Sequence, residues 1–236
     1  MSYRVLIIIP AYNEEKSLKE TVDSILKTKY DYVVINDGST DDTPKILKEN
    51  NYNHITLFNN LGIGGAVQTG YKYAKIHDYD IAIQFDADGQ HNADYLEALI
   101  QPIINNQADL VIGSCFIDKS QKTRRSSRIR KLGIKFLSGT IKLLSGKRIY
   151  DPTSGFRAVN KNLIRLFAED YPLEYPEPIS NYELIKSHFY KVKEVPVKMN
   201  RREAGHSSIH SWKNVYAAVN VFLSILILSL GRSKYD

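Results

Sequence analysis

The strongest constraint on the fold of this chain is a rhythm of short, continuous aliphatic runs separated by longer polar or amphipathic stretches. Val5-Leu6-Ile7-Ile8-Ile9 stops at Pro10, and similar runs occupy Tyr32 to Asn36, His54 to Phe58, Ile81 to Phe85 and Leu110 to Gly113. Strands that are apolar at successive positions are covered on both faces, and the segments between these runs are long enough for helices. The pattern predicts an α/β fold with a doubly wound, mostly parallel sheet flanked by helices. Residues 14–27 form a candidate first helix, with Leu18, Val22, Ile25 and Leu26 at helical spacing and Glu14-Glu15 at the end where the helix dipole favours negative charge. Asp42-Thr43-Pro44 is a start signal for a second helix.

In sheets of this kind ligands gather beyond the carboxyl ends of the strands. There the first run leads into Pro10-Ala11-Tyr12-Asn13-Glu14, the second into Asp37-Gly38-Ser39-Thr40-Asp41-Asp42, and the fourth into Asp86-Ala87-Asp88-Gly89-Gln90. Two carboxylates one residue apart at a strand end suit a hard divalent cation, which takes oxygen ligands and shares them with phosphates. An acidic turn is the plain alternative for such a string. Asp37 is placed to accept from a ribose hydroxyl or a base edge, and Gly38 permits close backbone approach. The Gly62-Ile63-Gly64-Gly65 loop opens a helix and reads either as a ligand contact through Gly64 or as turn geometry, because it lacks the full dinucleotide-binding spacing.

Charge and size narrow the classes of partner. At 236 residues the chain is long enough for a full core without disulfides, and its single cysteine, Cys115, reads as a small buried residue of an intracellular protein. A net charge of +6 and a pI near 9.1 point to an anionic partner: nucleotide, lipid phosphate, membrane surface or nucleic acid. Residues 114–150 hold the densest positive charge, including Lys131, Lys135 and Lys142, interleaved with Leu132, Phe136, Leu137 and Leu143. This is a basic amphipathic helix, suited to an anionic membrane, to covering an acceptor site, or to a solvated face over the core. Aromatic residues do not alternate with these charges, which argues against nucleic acid. The N-terminal run has no cleavage signal after it. The apolar stretch from Val215 to Leu230 is too short to cross a bilayer as a helix and is expected to dock on a membrane or a partner, including a second copy of the chain, or to be buried against its own core.

Together, Ile8-Ile9-Pro10-Ala11-Tyr12-Asn13-Glu14, Val34-Ile35-Asn36-Asp37-Gly38-Ser39-Thr40-Asp41 and Phe85-Asp86-Ala87-Asp88-Gly89-Gln90-His91 resemble the family 2 glycosyltransferases of the GT-A fold. The likeness is strongest to the branch of polyprenyl-phosphate (dolichol-phosphate) sugar transferases and extends through Asp151-Pro152-Thr153-Ser154-Gly155-Phe156-Arg157. The resemblance implies an inverting transfer from a nucleotide-diphosphate sugar that requires magnesium or manganese. It also implies that Pro10, Ala11, Tyr12, Glu14 and Asp37 hold the nucleoside, that Asp86, Ala87 and Asp88 form the metal and diphosphate motif, and that Gln90 joins the metal site. Arg202, within Arg201-Arg202-Glu203-Ala204-Gly205-His206, resembles a basic lid residue that closes over the donor phosphates.

For the chemistry, a cation on Asp86 and Asp88 would stabilise charge on the departing diphosphate, with Asp88 as the central catalytic acid residue of the motif. An incoming hydroxyl needs a base, for which Asp151 and Glu177 are candidates, either of which is equally a structural loop residue. An ionised phosphate acceptor needs none. Ile179 follows Pro176-Glu177-Pro178 where the branch often carries a further acid. The expected organisation is a nucleotide-sugar-binding half over 1–113, an acceptor-binding half and lid over 114–210, and an apolar C-terminal helix over 211–236. The expected acceptor is a polyprenyl phosphate or lipid-linked glycan, at the inner face of the cell membrane. The alternatives are transfer to a saccharide hydroxyl in surface polysaccharide synthesis and a non-catalytic, nucleotide-sugar-binding subunit.

Overall fold

A computed structural model describes residues 3–117, 128–200 and 211–235. The first half alternates as expected: β1 (Val5–Ala11), α1 (Leu18–Leu26), β2 (Asp31–Asn36), α2 (Thr43–Glu49), β3 (His54–Thr56), α3 (Gly62–Ile76), β4 (Ile81–Gln84), α4 (Leu96–Ile104) and β5 (Leu110–Ser114). The second half adds α5 (Arg128–Ser145), β6 (Arg157–Asn160), α6 (Lys161–Glu169), α7 (Pro176–Lys186), β7 (Val192–Pro196) and α8 (Ser211–Leu230).

Among the described residues the strands make one seven-stranded sheet in the order β3-β2-β1-β4-β6-β5-β7. All pairings are parallel except those of β6, which runs antiparallel between β4 and β5 and places Arg157 opposite Gln84. The continuous apolar runs are explained by two cores, one on each face of the sheet. Leu6 and Ile8 face the layer of α3 and α6, where Val67, Tyr71, Leu163 and Phe167 are buried. Ile7 and Ile9 point the other way, to Leu18, Val22 and Ile25 of α1 and Leu99 and Ile103 of α4. Successive strand residues alternate in direction, so a strand between two cores needs apolar side chains at every position.

Several local expectations are corrected. The first helix begins at Leu18 rather than residue 14, because Asn13 takes a left-handed backbone (φ 55°) and the following turn brings Ser17 and Leu18 N–H groups onto the Glu14 carbonyl. The third strand ends at Thr56, and Phe58 is 98% exposed. Cys115 is half-buried rather than buried. β6 and β7 were not anticipated, since Arg157-Ala158-Val159-Asn160 and Val192-Lys193-Glu194-Val195-Pro196 carry charged residues inside short runs.

The two long helices of the second half pack together on the α3 side of the sheet. α8 contacts α5 and α7, burying Val221 and Ile225. Among the described residues no helix is long and apolar enough to cross a membrane. The packing of α8 on its own chain gives no support to a homo-oligomer formed through it.

Candidate active site

The carboxyl ends of β1, β2 and β4 lie side by side, because these strands are adjacent and parallel. The loops after β1 and β2 are joined by a lattice of short polar contacts. Asn13 accepts at Oδ1 from the Thr40 N–H (2.8 Å) and donates its own N–H to Ser39 Oγ (3.0 Å). Glu14 N–H donates to Thr43 Oγ1 at 2.9 Å, and Asp41 accepts from the N–H groups of Glu15 and Thr43. Asparagine, aspartate and hydroxyl side chains serve here by satisfying loop N–H groups that no ladder reaches. Above this lattice Tyr12 is half exposed, and Pro10 and Ala11 are the last residues of β1.

Asp37 follows β2 and is 3% exposed. Its N–H donates to the Ala11 carbonyl and its Oδ1 accepts from the Leu61 N–H at 2.8 Å. Burial pushes its carboxyl above the ordinary aspartate range, against the opposing pull of the Leu61 and Gly62 N–H groups. Gly38 has a left-handed φ of 68°, and a Cβ there would sit 2.9 Å from Asn60 N. Both reasons exclude a side chain. Gly64 is tight for a different reason: a Cβ would fall 2.3 Å from the Leu173 carbonyl oxygen, so the start of α3 abuts the 172–173 backbone.

The loop after β4 carries the acidic motif. Asp88 accepts from the Gln90 N–H at 3.0 Å and from the Gln90 side-chain amide in a short contact, so these two residues face each other. Thr21 from α1 donates to the Ala87 carbonyl, and Asn200 N–H donates to the Gln90 carbonyl, tying the segment before Arg201 to this loop. His91 accepts the Asp86 N–H at Nδ1 (2.9 Å), which leaves the ring proton on Nε2, 3.6 Å from Asp86 Oδ2. The ring is fixed by stacking on Phe156 at 4.7 Å and 18°.

The second half of the chain completes this corner. A Cβ at Gly155 would meet Asp86 Oδ2 at 2.8 Å, so only glycine lets the carboxylate rest on this backbone. Gln84 Nε2 donates to Asp86 Oδ1 and to Glu177 Oε1, both at 3.2 Å. The two carboxylate oxygens therefore lie no further apart than twice that distance. Glu177 enters at the N-terminus of α7, where Tyr175 turns the chain with a left-handed φ of 47°. Fully buried Arg157 donates to Gln84 Oε1 at 3.4 Å and to Ser180 Oγ at 2.9 Å, with a further short bond to the Tyr171 hydroxyl.

The structure links Asp86 to Glu177 through Gln84, pairs Asp88 with Gln90 in the same loop after β4, and sets Asp37 just after β2, where its N–H bonds the last residue of β1. Asp151 is also buried: its N–H and that of Tyr150 donate to the carboxylate of Glu194, and Thr153 Oγ1 donates to its Oδ1 at 3.4 Å. Arg202 lies outside the described residues. Sequence reasoning missed Gln84, the roles of Gly155 and His91, and Arg157 as the buried cation behind the site. The one signal for Gln84 was a polar residue inside an otherwise apolar central strand. Two carboxylates and a primary amide are a hard oxygen set suited to magnesium or manganese. Among the described residues no cluster of three or more His, Cys, Asp or Glu could hold an ion.

The model of glycosyl transferase family 2 matches residues 6–167, which contain the loops after β1, β2 and β4 and the segment through Gly155 and Arg157. The chain belongs to glycosyltransferase family 2. It is 35% identical to the UDP-N-acetylglucosamine–dolichyl-phosphate N-acetylglucosaminyltransferase of Methanococcus voltae, over 97% of each chain. It is 33% identical to the dolichol-phosphate mannosyltransferase of Pyrococcus furiosus, over 87% of this chain and 59% of that one. The undecaprenyl-phosphate mannosyltransferase of Micrococcus luteus is 27% identical over 92% of both. This places the family member in the prenyl-phosphate branch. Glucosyl-3-phosphoglycerate synthase from Mycobacterium tuberculosis, solved with Mn2+, uridine diphosphate and phosphoglyceric acid, superposes with a TM-score of 0.69 at 17% identity, covering 98% of this chain and 80% of that one. The likeness establishes the GT-A fold.

Proposed function

We propose that this family 2 enzyme transfers a sugar from a nucleoside-diphosphate sugar to a polyprenyl phosphate, with inversion at the anomeric carbon. The observation that carries the reading is the end-to-end similarity to a dolichyl-phosphate sugar transferase, combined with an intact Asp86-Ala87-Asp88-Gly89-Gln90 motif at the carboxyl end of β4.

In this reading Pro10, Ala11, Tyr12, Glu14 and Asp37 hold the nucleoside, with buried Asp37 accepting from a donor hydroxyl or base edge. Asp86, Asp88 and Gln90 hold magnesium or manganese, which would neutralise charge on the leaving diphosphate. A Mn2+-bound structural neighbour of the same fold supports that choice. Asp86 is held ready by Gln84 and the Gly155 backbone, and Asp88 by the turn that closes on Gln90. The acceptor phosphate attacks the anomeric carbon through an ionised oxygen, the bond from that carbon to the diphosphate breaks, and no proton has to be removed. Asp151 and Glu177 are then site-shaping acids, with base chemistry reserved for a hydroxyl acceptor. Arg202 is the proposed cation of a lid over the donor phosphates.

The acceptor lies in a bilayer, and the α5–α8 layer supplies a surface for it. Leu132, Phe136 and Leu143 of α5 and Val219, Leu223, Ile227 and Leu230 of α8 are exposed, as are Lys131, Lys135 and Lys142. Exposed apolar side chains together with exposed lysines suit an anionic membrane surface and support a reading in which the enzyme docks peripherally on the cytoplasmic face.

The test is turnover of UDP-, GDP- and dTDP-sugars with manganese or magnesium, with and without a short polyprenyl phosphate. Release of nucleoside diphosphate should require the lipid phosphate and fall at least about a hundredfold in Asp88→Ala. Turnover on a saccharide hydroxyl alone, or nucleotide binding without turnover on any acceptor, would overturn the proposal.

A further inference from the structure

The metal corner contains an unexpected device, a glutamine that sits between one buried cation and two carboxylates. Gln84 is the last residue of β4 and is 1% exposed. Its antiparallel partner across the sheet is Arg157. A guanidinium has only donors, so the Gln84 face turned to Arg157 Nε must be the carbonyl oxygen. Carboxylates have only acceptors, so the face turned to Asp86 and Glu177 must be the NH2. Both sides dictate the same amide orientation, and the reversed amide would meet donors with a donor and acceptors with an acceptor.

Arg157 itself hydrogen-bonds to Gln84, Ser180 and Tyr171, all neutral groups. Its charge stands behind the amide, and the amide dipole points that charge's influence at the two carboxylates. Asp86 and Glu177 come from distant parts of the chain, and like charges drawn together repel unless a donor lies between them. One NH2 serving both oxygens at 3.2 Å is such a donor.

We infer that Gln84, oriented by Arg157, is a positioning residue for the divalent-cation site: by bridging Asp86 to Glu177 it holds Asp86 in ligand-ready geometry before the cation arrives. The inference rests on the reading of Asp86 and Asp88 as cation ligands, and extends it to residues outside the acidic motif. Groups that orient a ligand without touching the metal commonly govern affinity as much as the ligands do.

The experiment is a titration of the full-length protein with manganese alone, followed by electron paramagnetic resonance, with thermal unfolding recorded for each variant. Gln84→Met keeps the side-chain length and removes the bridge. It should weaken manganese binding about 10- to 100-fold. Ser180→Ala removes a different partner of Arg157 and leaves the bridge, so it should lower Tm while manganese binding stays at the parent value. Asp88→Ala should abolish binding. Were Gln84→Met not to fold, Gln84→Asn keeps a buried amide but draws it back from both carboxylates, and the same weakening is expected. Parent-like binding in the Gln84 variant would overturn the inference, as would equal weakening in Ser180→Ala, which would mark a general packing effect. Parent-like binding in Asp88→Ala would instead overturn the underlying cation site, and the inference with it.

Discussion

The sheet edge after β1, β2 and β4 and the outer face of the α5–α8 layer treat their side chains in opposite ways. At the edge, polar groups are buried or half-buried and hydrogen-bonded at defined distances: Asp37 to Leu61, Asp86 to Gln84 and His91, Asp88 to Gln90. On the helical layer, large apolar groups stand in solvent, with Leu143 84% and Leu230 85% exposed. The edge is built for position, where an ångström matters to chemistry. The helical face offers apolar area, and the bilayer partner proposed for it would tolerate imprecision. Under the proposed function, the contrast teaches that one chain can separate recognition of a small ionic donor from docking on a bilayer by assigning them to different layers.

The largest expected effect breaks the edge by crowding. Gly155→Ala puts a methyl group 2.8 Å from Asp86 Oδ2 and 2.9 Å from Gln84 Nε2, so both must shift. Turnover should fall about a hundredfold, since displacing a ligand by an ångström has that scale of cost. Overpacking should lower stability by about 1–3 kcal/mol in urea unfolding. Parent-like turnover would show that Asp86 need not rest on this backbone.

A charge pair placed on the other region should act on binding alone. Leu143→Asp with Ile227→Asp, both at exposed positions, should leave Tm and turnover on a water-soluble, short-chain acceptor near the parent values. Sedimentation with anionic vesicles should weaken about tenfold or more, because each buried leucine or isoleucine is worth about 1.5–3 kcal/mol. Unchanged vesicle binding would remove the helical layer from the membrane surface and dissolve the comparison.

The smallest effect sharpens the account of the edge by separating stability from function. Burial raises the Asp37 carboxyl, and burial likewise raises Glu194 against the N–H groups of Tyr150 and Asp151. A raised carboxyl contributes stability below its unfolded value that is lost as pH climbs through the raised one. Asp37→Asn keeps an acceptor for Leu61 N–H and removes the charge, so its stability relative to the parent should grow as pH rises above the unfolded aspartate value of about 4. Nucleotide binding, measured by calorimetry, should weaken about tenfold, or 1.4 kcal/mol. A stability difference that shrinks over that pH range would contradict the burial argument.

Much of the edge was legible because its determinants are local. Asn13, Ser39, Asp41 and Thr43 satisfy neighbouring loop N–H groups, and residues of this kind after an apolar run mark the carboxyl end of a strand. The Gly62–Gly65 loop was less legible, because contact with residues 172–173 explains Gly64 and nothing near it in sequence reports that contact. Arg157 was hidden for the same reason: a buried arginine in a short strand looks like a surface charge until the sheet is assembled. The fold of the second half was hard to read because β6 runs against its neighbours, so no alternation of helix and strand announces it.

By itself, the sequence determined the two-sided sheet, since apolar residues at every strand position admit no solvated face, and it determined the oxygen-rich edge, since short polar side chains after those strands have few other uses. Tertiary structure alone decided that β6 enters antiparallel, that Gln84 meets Arg157 across it, that Gly155 makes room for Asp86, and that Glu177 reaches the same corner. The physical reason is range. Burial periodicity and turn chemistry act over a few residues and are written in neighbouring letters, whereas the partner of a buried charge is chosen by strand order, which brings together residues more than seventy positions apart.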